Sequence, residues 1–83
     1  MIPRAELDET LEKHRVWLET SGTEGERADF DNANLRGANL HHAKLADADL
    51  QGADLRDADL QGADLRGASL DGIKLRGTSL RTR

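Results

Sequence analysis

From residue 28 to residue 82 the apolar positions recur every five residues without an insertion. Phe30 holds the first, followed by Leu35, Leu40, Leu45, Leu50, Leu55, Leu60, Leu65, Leu70, Leu75 and Leu80. Two residues before each stands alanine, replaced only by Ile73 and Thr78 in the last two of the eleven units. A period of five suits neither regular element. On a strand an odd step sends successive leucines to opposite faces, and on a helix it rotates each by about 140°. The chain therefore turns once per unit. If each unit is a short extended piece closed by a corner, the central residue and the one two before it share an inward face. Leucine and alanine then fill a narrow tube. The residues after each centre support this reading: Arg36-Gly37, Gln51-Gly52, Gln61-Gly62, Arg66-Gly67, Asp71-Gly72 and Arg76-Gly77 put glycine where a corner needs positive φ. Units ending in His42, Asp47, Asp57 and Thr82 lack it, which predicts a different turn or modest strain there.

Residues 3–20 follow another period. Leu7, Leu11, His14 and Leu18 fall at i, i+4, i+7 and i+11, one stripe of an amphipathic helix, with Trp17 beside it. Glu6, Asp8, Glu9 and Glu12 favour its N-terminal half, Pro3 suits a first turn and Gly22 a stop. The chain thus divides into a capping helix and loop, 1–27, and a coil of eleven repeats, 28–83. The helix is expected to cover the open first coil, with Leu11, Trp17 and Leu18 in the cap contact and Trp17 and Leu18 set against Phe30 and Leu35.

The units Ala53-Asp54-Leu55-Arg56-Asp57 and Ala63-Asp64-Leu65-Arg66-Gly67 resemble those of the pentapeptide-repeat family, and the resemblance extends over residues 28–82. The run His14-x-x-Trp17-Leu18, followed by Gly22, Gly25 and Arg27-Ala28-Asp29, is similar to a segment that often precedes the repeats in that family. The resemblance implies an all-β fold, a right-handed quadrilateral β-helix with four units per coil, here with a short N-terminal α-helix. Spacing alone does not choose four sides over three. Lys44 and Lys74 in the Asp/Asn place, and Ile73 and Thr78 in the alanine place, depart from the pattern. Members of the family mimic DNA and bind type II topoisomerases such as gyrase. Charge argues against importing that role: residues 28–83 hold nine Asp and eight Lys or Arg, a net of −1, and the other −3 of the total of −4 belongs to residues 1–27.

Composition narrows the remaining classes. Without cysteine there is no disulfide framework or thiolate metal site, and no apolar run approaches the ~20 residues that cross a membrane. The N-terminus lacks the apolar segment of a secretory signal, so a cytoplasmic protein is expected. Asp29, Asp49, Asp54, Asp59 and Asp64 read as acceptors for backbone donors at corners rather than as paired catalytic carboxylates. His41 and His42 are adjacent and expected to diverge, and His14 stands alone, so all three are assigned to the surface. No catalytic residue, cofactor site or metal site is expected, and the chain reads as a non-enzymatic module for protein contacts. With aromatics at 2% and net negative charge, direct nucleic-acid binding is not expected. In four-unit coils residues twenty apart stack, so Arg36, Arg56 and Arg76 form a ladder, the candidate contact surface. Asp31, Gln51 and Asp71 form a second column. At the far end Leu65, Leu70, Leu75 and Leu80 would face outward, which predicts a homodimer through the C-terminal coil.

Overall fold

The computed structural model describes residues 2–80. It contains one helix, α1, Arg4–Glu19, preceded by Pro3 in extended backbone. After Thr20 the Gly22 N–H donates to Trp17 O at 2.8 Å, and Gly22 lies at φ 88°, where glycine closes a helix without a Cβ penalty. The loop 21–27 then folds back across the helix. The Glu26 N–H donates to Lys13 O, and a methyl on Gly25 would collide with that same oxygen and with Trp17 N, so only glycine lets the two backbones meet there.

The coil is defined by seven parallel bridges between residues twenty apart: Asp29 with Asp49, Asn34 with Asp54, Asn39 with Asp59, Lys44 with Asp64, Asp49 with Ser69, Asp54 with Lys74, and Asp59 with Ser79. Twenty residues are four units of five, so the tube has four sides. The expectation of an all-β fold needs qualification, because among the described residues the bridges stay isolated and no continuous strand forms. Each side is too short for one. A unit contributes a single bridging residue, flanked by donors such as Phe30 N to Asp49 O and Asp49 N to Ala28 O, and the chain then turns.

Every corner is built the same way. The carbonyl of the central residue accepts the N–H three residues on, from Ala33 N to Phe30 O at 3.0 Å through Thr78 N to Leu75 O at 2.9 Å. The residue before that donor has positive φ, the mark of a type II turn. Glycine supplies it in six units; Asn32, His42, Asp47 and Asp57 adopt the same region at φ 58°, 60°, 64° and 64°. No different turn is used at His42, Asp47 or Asp57, and these corners carry the strain instead. Thr82 lies outside the described residues.

Inside the tube Phe30 and Leu35 through Leu60 are at most 2% exposed, with Ala28, Ala48, Ala53 and Ala58 completing the packing. Fully burying each such leucine contributes on the order of 1.5–3 kcal/mol. Burial then fades toward the last coil. Leu65 and Leu75 are half-buried, while Leu70 and Leu80 are 38% and 44% exposed.

Candidate interaction surface

The upper end is closed by α1, and of the three residues expected in that contact only Leu11 packs against the core. Leu7 and His14 are the buried residues of the helix. Trp17 and Leu18 are half-buried and lie outside that apolar cluster, so the cap contact assigned to them belongs to Leu7 and His14. His14 already reaches the first and last units of the first coil, through Ala28 and Ala46, and Leu18 stands a turn beyond it. Trp17 stacks on His14, ring centroids 5.5 Å apart.

His14 is not a surface residue; it is fully buried. Its Nδ1 accepts the Ala28 N–H at 2.9 Å, which leaves the proton on Nε2, 2.8 Å from the Ala46 carbonyl oxygen. One ring thus pins the helix to the first and last units of the first coil. Two further donors complete the cap: Ile2 N–H to Asn34 O at 3.0 Å and Arg4 Nη1 to Asn39 O at 2.9 Å. These are edge carbonyls that a preceding coil would otherwise engage, so the cap blunts the open edge as well as covering leucines. His14 was legible only as a polar residue at an apolar position of the stripe.

The corner carboxylates and amides serve the backbone. Oδ1 of Asp29, Asn34, Asn39, Asp49, Asp54, Asp59 and Asp64 each accepts the N–H two residues on, at 3.0–3.2 Å. His41 and His42 do not diverge: their rings meet edge to face with centroids 3.9 Å apart, and His41 Nδ1 lies 3.7 Å from Asp59 Oδ2. Among the described residues no set of His, Asp or Glu converges as metal ligands.

The register sorts charge onto sides. Units 28–32, 48–52 and 68–72 stack as side 1, which carries Asp29, Asp31, Asp49 and Asp71 and no cation. Units 33–37, 53–57 and 73–77 stack as side 2, with Arg36, Arg56, Lys74 and Arg76 against Asp54 and Asp57. The arginine ladder is therefore real in position, with Gly37 N–H donating to Arg56 O and Asp57 N–H to Arg76 O. Its members are not equivalent. Arg56 grips Asp54 through two bonds, Nε to Oδ1 at 2.8 Å and Nη2 to Oδ2 at 2.6 Å. The Arg56 side chain holds the Asp54 carboxyl far below the usual carboxylate range, against the opposing effect of partial burial, and Arg36 adds to the effect. On side 4 Arg66 repeats the grip on Asp64, whose pKa falls to about 2. Arg36, Lys74 and Arg76 have no ion-pair partner among the described residues. At the top of side 2, between the coil and the start of α1, a cleft of about 270 Å³ is lined by Ile2, Leu7 and Ala38 on its apolar part and by Arg4, Arg36 and Asn39.

A tube of stacked five-residue turns, closed by a helix, defines a solenoid that offers surfaces. The family model for pentapeptide repeats matches residues 21–52 and 43–81, in eight copies, and the chain belongs to that family. No curated protein matches it. A crystal structure of a pentapeptide repeat protein, Rfr23, from the cyanobacterium Cyanothece 51142 is similar at 42% identity and a TM-score of 0.32, over 64% of this chain and 40% of that one. The matched stretch therefore spans two fifths of that protein's chain. No helix among the described residues is long and apolar enough to cross a membrane.

Proposed function

We propose that the chain is a non-enzymatic interaction module whose tube, wound right-handed as the family implies, presents side 2 to an acidic segment of a protein partner. The observation that supports this reading is the sorting of charge by the twenty-residue register, which stacks Arg36, Arg56 and Arg76 with Lys74 beside them. Cations in one column about 4.8 Å apart repel one another. Asp54 is committed to Arg56, so an incoming carboxylate relieves the repulsion at Arg36, Lys74 and Arg76. A single exposed pair contributes only about 0.2–1 kcal/mol. Affinity then depends on several pairs made at once by a backbone already rigid, and it weakens with salt.

The test is affinity capture with the purified chain, followed by the triple charge reversal Arg36→Glu, Lys74→Glu, Arg76→Glu. The expected partner is acidic, and both the reversal and added salt release it. Asp31→Asn with Asp71→Asn on side 1 leaves it bound. A partner held equally by all three proteins would place the contact elsewhere. The exposed lower end serves as a second contact, taking another copy of the chain about a two-fold axis.

A second reading, DNA mimicry toward a type II topoisomerase, draws on the carboxylates of side 1. That side holds only Asp29, Asp31, Asp49 and Asp71, whereas duplex DNA presents about eight charges over the ~13 Å of such a tube. Undiminished gyrase supercoiling in the presence of the protein would remove it.

A further inference from the structure

In the lower coils each side is engaged from above: Arg56 O accepts the Gly37 N–H at 2.9 Å, and Asp59 N–H donates to Ala38 O at 2.9 Å. The corresponding groups of the first coil are Arg36 O and Asn39 N–H. Neither has a partner among the described residues. The cap reaches the carbonyls on both flanks, Asn34 through Ile2 and Asn39 through Arg4, and leaves the stretch between them open. This gap is the floor of the cleft at the top of side 2, whose apolar wall is Ile2, Leu7 and Ala38.

We propose that this cleft binds the C-terminus of a polypeptide ending in an aliphatic residue. The edge offers an acceptor, Arg36 O, for the N–H of the penultimate residue, and a donor, Asn39 N–H, for the terminal carboxylate, in the same parallel register that the coils use with one another. Arg36 supplies the charge. It lines the cleft and has no ion-pair partner among the described residues, and Asp54 on the same side already spends both oxygens on Arg56. A guanidinium beside a carboxylate makes the stronger, charge-assisted class of hydrogen bond. Arg4 is a fixed wall rather than a second receptor, because Asp8 at 2.8 Å and Asn39 O hold it. The volume of about 270 Å³ lies near the lower end of ligand pockets, roughly 300–1,000 Å³, and suits one or two residues rather than a long chain. This site is separate from the acidic-segment contact of side 2 except for Arg36, and Lys74 and Arg76 play no part in it.

The experiment is a titration of the ¹⁵N-labelled full chain with N-acetyl-Gly-Leu, glycine standing where the coils place a left-handed residue, followed by amide resonances. The expected result is saturable shifts at Ile2, Gly37, Ala38 and Asn39 with the free carboxylate, and none with the C-terminal amide. Arg36→Met keeps a dispersed spectrum and weakens binding by roughly tenfold or more, the loss of one charge-assisted bond. Arg76→Met leaves binding unchanged, which separates this site from general attraction to side 2. Equal shifts with acid and amide, no shifts at millimolar peptide, or an unaffected Arg36→Met would each overturn the proposal. So would saturation by 4-methylpentanoate at the same concentration, since that acid lacks the amide N–H assigned to Arg36 O.

Discussion

An L-residue in the left-handed region costs roughly 1–2 kcal/mol, least for Asn and Asp, and this chain places Asn32, His42 and Asp47 there in the first coil and Asp57 in the second. Their side chains fold down onto the next coil, and in each case the residue beneath is glycine. A methyl on Gly52, Gly62, Gly67 or Gly77 would collide with Asn32, His42, Asp47 or Asp57 respectively, whereas a methyl on Gly37 meets nothing within 4 Å. Gly37→Ala should therefore cost about 1 kcal/mol in urea unfolding, and Gly67→Ala about 2 kcal/mol or more, with Asp47→Gly restoring most of the difference. Equal costs at the two glycines would mean that collision plays no part. The ion pairs act at the same scale. Asp54 and Asp64 titrate below their unfolded values, so between the two the unfolded chain binds more protons. The stability they lend is complete above about pH 4 and is lost as pH falls toward 2. The urea midpoint of the wild type should drop over that interval more steeply than that of Arg66→Gln, by a modest amount because Asp64 is partly exposed.

At the scale of the element, the cap depends on one ring. His14→Leu keeps the apolar contact but abandons the Ala28 N–H and the Ala46 carbonyl, each worth about 1–3 kcal/mol when buried without a partner. Hydrogen exchange should then show α1 opening independently of the lower coils, with faster exchange confined to α1 and the first coil. Unchanged protection of α1 would show that Leu7 and Leu11 hold the cap alone. The helix itself was legible in the sequence, because Leu7, Leu11 and His14 keep the 3.6 period and Pro3 and Gly22 bound it. What joins it to the coil was not. Trp17 and Leu18 are the largest apolar residues near the end of the stripe, and nothing in their spacing shows that the mouth of the tube ends at His14. The role of Gly25 also depends on a backbone meeting between the loop and Lys13 that one-dimensional periodicity does not carry.

At the scale of the molecule, the inward leucines and alanines were readable from the period of five, and the corners from glycine. The number of sides was not, since three units per coil would satisfy the same spacing; the bridges twenty apart decide it. The charge on each side follows only once that register is known, which is why Lys74 joins the basic side although it reads as a departure from the repeat. The lower end is the counterpart of the cap. Leu70 and Leu80 are exposed there, and the N–H groups of Leu65, Leu70 and Leu75, whose equivalents above are engaged, have no partner among the described residues. A second copy seated on this end would bury both kinds of group. Sedimentation at tens of micromolar should give a dimer mass, and Leu70→Glu should return it to a monomer. A monomer throughout, or a dimer indifferent to Leu70→Glu, would refute this interface.

The glycine beneath each strained corner has a consequence for how such a chain changes length over evolutionary time. Units of equal size look interchangeable, yet the corners work as wards in a lock: each left-handed side chain needs an empty position one coil down. Excising 53–57 keeps Asn32 over Gly52 and brings His42 over Gly67 and Asp47 over Gly72, all permitted. Excising 48–52 instead sets Asn32 over Asp57, where a Cβ occupies the space its side chain needs. The first deletion should leave a folded, shorter tube and the second a destabilised one, distinguishable by urea midpoint. Growth and loss of repeats in this chain are thereby restricted to those cuts that preserve the phase of its corners.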